Sequence, residues 1–561
     1  VALNTNNIDG CARVCHAPTA YGMQKAFGTG AATNSIIDLK ETDCIFLFGA
    51  NPTEAHPVTG ARIKQLFMQG ITSIVVDPVK TNLAKLAQYH LQLRPGTNVA
   101  LLNMMAHYII KEGMVKQEFI SKFTEQYEAF KVHVLSLNID ELEVLTGVSK
   151  NLVRDAALAY AKADNAMEFH GLGVTEHFQG SKTVMLLSNI AMMTGNIGRP
   201  GVGLNPLRGQ NNVQGAADMG VQPHQGAGYM DVNDRAIQEY YADKYGIPHM
   251  PEKEGLKIPE MLEAAINGKF KALWIMGEDT LMTDPNTLHI RKAMEQLDIM
   301  IVQELFMSAT AEMADVVLPA CSYFEKNGTF TNGERRVRRV NQVVDPIGNC
   351  KSDGQMIIDM MYKLGYEQPT GRTYDAEKIL DEIADVIPFM KGISWERLGQ
   401  NGLQWPVLED GTDTQILHKD GNFKKGKGVF HHFDFEETPE LVEHRKKYPY
   451  ILTTARQLEH YNAGTMTRRT DNQEISPMDY LEINPLDAAE KEIGANDTVR
   501  IFSDRGSVNI PVKLTYLVKP GVVRTTFHQP EVFINMITGN VGDEYTLTPE
   551  YKVVAVDFEK I

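Results

Sequence analysis

The sequence predicts an α/β protein with two related α/β domains of the dinucleotide-binding type, a mixed connecting domain and a C-terminal β-barrel domain. Three observations predict this fold: a strand–glycine turn–helix–strand pattern that begins near Asp43, a second copy of it about 228 residues later, and short strand patterns from Tyr448 onward. The chain has 561 residues, which corresponds to about three to five domains of ordinary size. We expect four domains, at 11–210, 211–322 together with 1–10, 323–440, and 441–561.

The first copy of the pattern has the order of a βαβ unit. An apolar run at 45–48 ends at Gly49, a helical pattern covers 57–68, and a second apolar run at 73–76 ends at Asp77. Backbone N–H groups in the glycine turn and at the helix start can bind a phosphate, and Asp77 can accept hydrogen bonds from a ribose or a guanine. Doubly wound domains that bind no nucleotide also contain such turns, so this unit alone leaves both interpretations open.

The second copy repeats the first at corresponding positions. Gly277 and Glu304 stand where the first copy has Gly49 and Asp77, and a last short strand follows, at 91–95 in the first copy. A repeat with so long a period indicates duplicated architecture. It predicts two nucleotide-tailed ligands or one ligand that bridges both halves, and the alternative is a duplicated scaffold with one inactive half. Neither copy carries the glycine fingerprint of nicotinamide-binding domains.

The rest of the chain predicts covering helices, one long loop and the barrel. Helices are expected at 100–111, 116–123, 139–146, 149–162 and 183–194. The stretch 195–231, rich in Gly, Asn and Gln, has no charge runs and is interpreted as an irregular but packed functional loop. Barrel strands are expected at 450–454, 498–503, 506–512 and 522–526.

Composition excludes several classes of protein. The 55 Lys and Arg residues against 71 Asp and Glu residues give a net charge of −16, which does not suit a phosphate backbone, so no nucleic acid partner is expected. No apolar run approaches the roughly 20 residues of a membrane span. The five cysteines are scattered, which predicts neither a disulfide framework nor an iron–sulfur motif. Three of them are interpreted as buried small hydrophobic residues: Cys44, Cys321 and Cys350.

Two short motifs contain residues that suit catalysis. Cys15 and His16 are adjacent; a thiolate can bind a soft metal, and an imidazole exchanges protons near neutral pH. Arg208 stands in a loop rich in Gly, Asn and Gln, and its planar guanidinium suits a carboxylate. Two alternatives stay open at this point: the Cys–His pair can be structural, and Arg208 can serve only to bind loop carbonyls.

Several motifs occur in the order found in one enzyme family. They are Arg13-Val-Cys15-His16-Ala-Pro18, Phe48-Gly49-Ala-Asn51-Pro52 with His56-Pro57, Asn205 through Ala216, Met276-Gly277-Glu278-Asp279, Ala314 through Ala320, and Glu325 through Asn332. Together they resemble the catalytic subunit of molybdenum- or tungsten-dependent formate dehydrogenases. The resemblance covers nearly the whole chain, from about Asn6 to Glu559.

The resemblance implies two molybdopterin guanine dinucleotides that hold one Mo or W atom, which matches the duplicated unit. It implies that Cys15 is the metal ligand, that His16 is the neighbouring catalytic histidine and that Arg208 holds formate. The residues implied to contact the pterin and guanosine portions are Asn51, Asp77, Gly96, Glu176, Gly277, Glu278, Asp279, Gln303, Glu304, Arg456, His460, Asn535, Tyr551 and Lys552.

The implied reaction is the two-electron oxidation of formate to CO2, or its reverse. Formate binds to Arg208, its hydrogen leaves either as a hydride or as a proton while two electrons pass to the metal, and His16 takes or relays the proton. The neutral product CO2 loses its pairing with Arg208. A nitrate reductase of the same superfamily, and a structural relative in a respiratory complex that has lost the metal, are the alternative functions.

The resemblance also carries expectations about electron transfer. The family's N-terminal segment with four cluster-binding cysteines does not occur in this sequence, so we expect a preceding segment that holds a 4Fe-4S cluster. The expected partners are electron-transfer subunits with iron–sulfur clusters, linked to a hydrogenase, NAD or ferredoxin. The expected location is the cytoplasm, with the periplasm as the alternative.

Overall fold

The structure, a computed structural model, describes residues 2–366 and 371–561. The chain forms two compact units. The unit that we call the barrel unit consists of Val14–Gly209, Thr283–Thr287 and Ile416–Ile561. The unit that we call the second-sheet unit consists of Val1–Arg13, Gln210–Met282 and Leu288–Gln415. The division into four domains with the boundaries given above stays a prediction.

The first sheet, in the barrel unit, has five parallel strands. Their order is Tyr89–Leu91, Thr72–Val76, Cys44–Phe48, Ala166–His170 and Gly203–Pro206. Phe46 and Phe48 belong to one buried hydrophobic cluster, and Ile45 and Leu47 belong to another. Because successive side chains of a strand point to opposite faces, both faces of the central strand are covered, which explains its continuous apolar run.

The structure corrects two expectations about this part of the chain. The stretch 195–231 is packed but not irregular throughout, because Gly203–Pro206 is the fifth strand of the sheet and Val213–Asp218 is a helix. Gly, Asn and Pro rarely favour strands, so tertiary pairing decides the conformation of 203–206. The short strand expected at 91–95 lies at Tyr89–Leu91 instead.

The C-terminal barrel is closed by six strands, which confirms the predicted barrel. Their order is Tyr450–Thr454, Val522–Thr525, Leu481–Ile483, Ser507–Leu514, Thr498–Phe502 and Val554–Lys560. Alternate residues of Ser507–Leu514 are buried, namely Val508, Ile510 and Val512, as expected for a strand with one face toward a core. The sequence patterns missed Leu481–Ile483 and Val554–Lys560.

The second-sheet unit contains three parallel strands, in the order Val316–Pro319, Ile299–Glu304 and Ala272–Met276. An antiparallel sheet in the same unit consists of Gly328–Thr331, Arg336–Val340 and Leu403–Gln404. The remaining short pairs are Gln225–Gly226 with Met230–Asp231 in this unit, and Thr124–Glu125 with Gly428–Val429 in the barrel unit.

The two parallel sheets repeat one turn in detail. The glycine after the first strand has a positive φ in both sheets, +56° at Gly49 and +63° at Gly277. Gly49 donates its N–H to the carbonyl of Val76 at 2.8 Å, and Gly277 donates to the carbonyl of Gln303 at 2.9 Å. Each acceptor directly precedes an acidic residue: Asp77, which follows the strand Thr72–Val76, and Glu304, the last residue of the strand Ile299–Glu304. This geometry confirms the duplicated α/β architecture.

Most predicted helices are present, with ends that differ by a few residues. The α-helices of the described residues are Ala17–Phe27, Pro52–Ala55, Pro57–Met68, Asn98–Lys111, Gln117–Phe123, Tyr127–Ser136, Ile139–Thr146, Lys150–Lys162, Leu172–Thr175, Gly180–Met193, Val213–Asp218, Arg235–Tyr245, Ile258–Ile266, Thr280–Thr283, Thr287–Glu295, Asp353–Lys363, Ala376–Val386, Trp395–Leu398, Pro439–His444, Asn472–Ile475 and Pro485–Glu490. The 3-10 helices are Ile36–Lys40, Ala227–Tyr229, Ala311–Met313, Tyr323–Glu325, Pro388–Met390, Lys419–Gly421, Thr467–Arg469 and Ile534–Met536. Within 2–366 and 371–561, no helix combines the length and the apolar character that crossing a bilayer requires.

Candidate active site

Cys15 and His16 lie in the barrel unit, directly before the helix Ala17–Phe27. Pro18 stands in the first turn of this helix, where its fixed φ and missing N–H suit a helix start. Cys15 is 3% exposed and His16 is 5% exposed. The hydroxyl of Thr175 donates to the carbonyl of Cys15 at 2.6 Å, which holds the turn against the end of the first sheet.

The thiol of Cys15 lies among charged groups that the sequence assigned to the same site. Burial and, second, the negative charge of Glu176 raise the pKa of Cys15 to about 12, although Arg456, Arg208 and Lys552 act in the opposite direction. The thiol therefore stays protonated at neutral pH in the protein alone. A metal cation would supply the charge that the thiolate needs, since thiolates and not thiols bind metals.

His16 has a buried ring nitrogen that is able to bind a ligand. Its Nδ1 is buried and has no hydrogen-bond partner among the residues that the structure describes. A buried polar atom of this kind costs free energy unless a ligand or a water satisfies it. The Nδ1 atom of His16 is therefore available to exchange a hydrogen bond or a proton with a bound group.

Arg208 is buried and lies just beyond the carboxyl end of the strand Gly203–Pro206. Its Nη2 donates to the carbonyl of Gly30 at 2.9 Å. The ring of His56 donates through Nε2 to the carbonyl of Arg208 at 2.9 Å, and the hydroxyl of Tyr461 donates to the next carbonyl at 3.3 Å. Ligands of parallel α/β sheets bind at the carboxyl ends of the strands, so Arg208 stands at the edge where a substrate is expected.

Lys552, one of the predicted cofactor residues of the barrel unit, is a buried cation paired with Glu176. The Nζ of Lys552 lies 2.9 Å from the Oε2 of Glu176, and it also donates to the carbonyl and the hydroxyl of Thr454, both at 3.0 Å. Burial raises the pKa of Glu176 although Lys552 and Arg456 lower it. Arg456 donates to the Oδ1 of Asn462 at 3.2 Å. These groups provide both signs of charge next to Cys15.

The other predicted residues in the C-terminal part of the barrel unit bind its loops. His460 contacts the hydroxyl of Thr467 through Nδ1 at 3.1 Å and donates through Nε2 to the carbonyl of Ser476 at 2.8 Å. Asn535 and Tyr551 both donate to the carbonyl of Thr283, at 3.1 Å and 2.9 Å. Both nitrogens of His460 are therefore used within the protein.

Asn51, Asp77 and Gly96 lie near the first sheet, at positions that fit a nucleotide. Asn51 directly precedes the helix Pro52–Ala55, and Gly96 has a φ of +91° that favours glycine. The Oδ1 of Asp77 accepts from the backbone N–H of Val79 at 2.8 Å, and burial raises the pKa of Asp77 to about 6. A half-buried carboxyl group with a raised pKa fits a neutral donor such as a guanine N–H or a ribose hydroxyl.

The remaining predicted residues lie in the second-sheet unit, at the corresponding ends of its strands: Gly277, Glu278, Asp279, Gln303 and Glu304. Asp279 Oδ1 accepts from the N–H and the hydroxyl of Thr310, at 3.0 and 2.7 Å. The Oε1 of Gln303 is buried and has no hydrogen-bond partner in the described part of the chain. A Cβ at Gly277 would meet no atom within 4 Å. This open turn and the unsatisfied amide oxygen of Gln303 fit a bound polar group.

The protein does not offer a complete metal-binding set of its own at these residues. Among residues 2–366 and 371–561, no group of three or more His, Cys, Asp or Glu side chains is arranged to hold a metal ion. A metal bound by Cys15 would therefore take its other ligands from a cofactor. That requirement fits the two molybdopterin guanine dinucleotides implied by the family resemblance.

The sequence patterns missed several polar residues of the barrel unit. Glu168, His170 and Thr19 form a buried hydrogen-bonded chain, and the Nε2 of His528 is buried without a hydrogen-bond partner in the described residues. Single residues at a strand end or in a barrel loop leave no signal in spacing. His56 appeared only as part of a motif, although its ring binds the carbonyl of Arg208.

The structure also corrects the interpretation of one cysteine. Cys44 and Cys321 are buried as expected, but Cys350 is half-buried. The Sγ atoms of Cys321 and Cys350 lie 3.3 Å apart, and the carboxylate of Glu325 lies 3.6 Å from Cys350 Sγ. These two cysteines are neighbours of each other, which their separation in sequence did not indicate.

Comparison with known proteins gives a consistent result. Residues 1–362 match the Molybdopterin oxidoreductase family, and residues 450–555 match the molybdopterin dinucleotide binding domain. The chain is 42% identical to the F420-dependent formate dehydrogenase subunit alpha of Methanocaldococcus jannaschii, over 100% of this chain and 83% of that protein. It is 36% identical to formate dehydrogenase H of Escherichia coli, over 100% of this chain and 78% of that protein.

A solved structure shares the fold. Acetylene hydratase from Pelobacter acetylenicus matches with a TM-score of 0.75 at 18% sequence identity, over 100% of this chain and 83% of that chain. At this identity the similarity concerns the fold alone.

Proposed function

Because the chain belongs to the molybdopterin oxidoreductase family, we propose that it is the catalytic subunit of a formate dehydrogenase that oxidises formate to CO2. One observation carries the proposal: Cys15, His16 and Arg208 are all buried in one compact unit, and the charge of Arg208 acts on the thiol of Cys15. A thiolate, a proton acceptor and an anion-binding guanidinium are the groups that this reaction needs.

In this proposal Arg208 binds the substrate. Formate is a small anion, and a buried guanidinium pairs with a carboxylate through two parallel hydrogen bonds. The protein has a net charge of −16, so formate needs a local positive site to bind. CO2 is neutral and loses this pairing, which favours its release.

His16 handles the proton. Oxidation of formate to CO2 releases one proton and two electrons, and the Nδ1 of His16 is the buried nitrogen available to take that proton. An imidazole suits the role because its ordinary pKa lies near neutral pH.

The cofactor supplies the two-electron chemistry when it is bound. Cys15 Sγ would hold its metal, Mo or W, while Asp77 and Gln303 would bind polar portions of its two nucleotides. We propose that the electrons leave through a 4Fe-4S cluster and iron–sulfur partner subunits, in the cytoplasm. A hydrogenase, NAD and ferredoxin are candidate acceptors, and the name of the Methanocaldococcus jannaschii relative adds F420.

The test uses the purified protein loaded with cofactor. Metal analysis together with formate-dependent reduction of a dye is expected to show Mo or W and turnover. Arg208→Ala is expected to lower kcat/KM for formate roughly 10- to 150-fold, because a hydrogen bond to a charged group contributes about 1.5–3 kcal/mol. Its metal content should stay unchanged.

A matched control separates substrate binding from a general loss of positive charge. Arg154 is a part-exposed arginine on the helix Lys150–Lys162, paired with Glu112 at 3.0 Å, and Arg154→Ala should leave turnover unchanged. Metal with turnover of nitrate but not of formate would contradict the proposal, as would a protein that binds no metal. Loss of metal in Arg208→Ala would make Arg208 structural.

A further inference from the structure

Two ionisable side chains are buried in the middle of the first sheet. Glu168 and His170 lie two residues apart on the strand Ala166–His170, so their side chains point to the same face. Each side chain is 1% exposed. An inner strand of a parallel sheet is normally apolar, and a buried charge costs free energy unless it is paired. The burial of this pair therefore has to be offset by specific contacts.

The two side chains form an ordered chain with a buried hydroxyl. The Nδ1 of His170 lies 3.1 Å from both carboxylate oxygens of Glu168, and its Nε2 lies 3.0 Å from the hydroxyl of Thr19. Thr19 is completely buried. A carboxylate accepts hydrogen bonds, so the Nδ1 of His170 carries a hydrogen and donates a hydrogen bond to Glu168. Glu168 thereby sets the orientation of the ring. The Nε2 atom is thereby directed at Thr19.

Through Thr19, the pair reaches the turn that carries the proposed catalytic residues. Thr19 lies in the first turn of the helix Ala17–Phe27, and its backbone N–H donates to the carbonyl of His16 at 3.0 Å. The side chain of His170 therefore holds the start of the helix that follows Cys15 and His16.

The main chain of His170 reaches the other proposed catalytic residue. Its carbonyl accepts from the N–H of Leu207 at 2.8 Å, and Arg208 is the next residue. His170 also lies opposite Pro206 in the sheet register. The ring of His170 thus contacts the start of the helix after His16. The backbone of His170 contacts the residue before Arg208.

We propose that Glu168 and His170 are a positioning pair that holds His16 at a fixed distance from Arg208, so that one bound formate meets both. The inference rests on the proposed function. Neither side chain touches the substrate in this arrangement. Because misplacement by about 1 Å can cost roughly 100-fold in rate, loss of the hydrogen bond to Thr19 should slow the proton-handling step. The backbone contact to Leu207 would persist, so formate binding at Arg208 should be little affected.

Variants of Thr19 provide the sharpest test. Thr19→Val keeps the shape and the β-branch but removes the hydroxyl, whereas Thr19→Ser keeps the hydroxyl. In the cofactor-loaded enzyme, Thr19→Val is expected to lower kcat about tenfold, with KM for formate and metal content within about twofold of the unaltered protein. Thr19→Ser is expected to retain kcat within about twofold.

Two further variants serve as a control and a second probe. Thr183 is also buried in a helix, and its hydroxyl donates to the carbonyl of Gln179 one turn earlier at 2.8 Å. Thr183→Val should leave kcat unchanged. Glu168→Leu removes the acceptor that orients the ring and should reproduce the kcat loss of Thr19→Val.

A second readout does not depend on turnover. Hydrogen exchange measured by mass spectrometry should show faster exchange in a peptide covering 14–27 for Thr19→Val, but not for Thr19→Ser. Equal kcat and equal exchange in these two variants would overturn the positioning pair while leaving the proposed function intact. A Thr19→Val variant that loses metal and shows a raised KM together with a lowered kcat would also overturn it. A cofactor-loaded unaltered protein without formate turnover would overturn the proposed function itself.

Discussion

Replacing Lys552 by Met is expected to destabilise the barrel unit by about 3–5 kcal/mol, the usual cost of leaving a buried charge without its partner. The side chains of Lys552 and Glu176 are 10% and 7% exposed, and the two charged atoms lie 2.9 Å apart. Methionine has a similar length and keeps the apolar contacts of the lysine stem. The substitution removes the charge and the two hydrogen bonds to Thr454.

The loss of stability should depend on pH in a defined direction. Burial already raises the pKa of Glu176 beside Lys552, and removing the cation raises it further. A group whose pKa is raised by folding stabilises the folded state below its unfolded pKa, and this contribution is lost as the pH rises through the folded pKa. The variant should therefore be closest to the unaltered protein near pH 5 and fall behind it toward about pH 8.

The measurement has to report on the barrel unit. All three tryptophans, Trp274, Trp395 and Trp405, lie in the second-sheet unit, so their fluorescence does not follow the barrel. Hydrogen exchange of the strands Tyr450–Thr454 and Val554–Lys560 measures the opening free energy locally.

A double variant provides the control and the refutation. Lys552→Met combined with Glu176→Gln removes both charges of this pair and should recover most of the lost stability. A loss below about 1 kcal/mol near pH 8, or a double variant as unstable as Lys552→Met alone, would refute the reasoning.

Two further predictions test the equivalent glycine turns and the cysteine pair. Gly277→Ala should lower the free energy of unfolding in urea by only about 1 kcal/mol, because the residue has a positive φ but an open surrounding. Gly49→Ala should cost more, because its Cβ would clash with the backbone of Gly173. Equal costs would contradict this prediction. The Sγ atoms of Cys321 and Cys350 lie 3.3 Å apart, so the two cysteines should form a disulfide on treatment with diamide. Mass spectrometry should then detect a crosslinked peptide pair, and Cys350→Ser is the control. A pair that stays uncrosslinked would contradict the geometry.

Local patterns predicted the α/β class, the duplicated unit and the barrel well. The apolar run that ends at Gly49 and the helix that begins at Pro57 are encoded within a few residues, because burial on both faces and helix starts leave direct marks in sequence. The strand at 203–206 was missed for the opposite reason. Its Gly, Asn and Pro form a strand only because Ala166–His170 lies beside it.

The sequence by itself determined which chemical groups are present: a cysteine next to a histidine, an arginine in a glycine-rich loop, and two copies of a nucleotide-type turn. Only the tertiary structure decided which groups meet. The effect of Glu176 and Lys552 on the thiol of Cys15, and the contact of His170 with Thr19, join residues separated by more than 100 positions. Such contacts depend on strand order and on the packing of helices against the sheet, which no local spacing encodes.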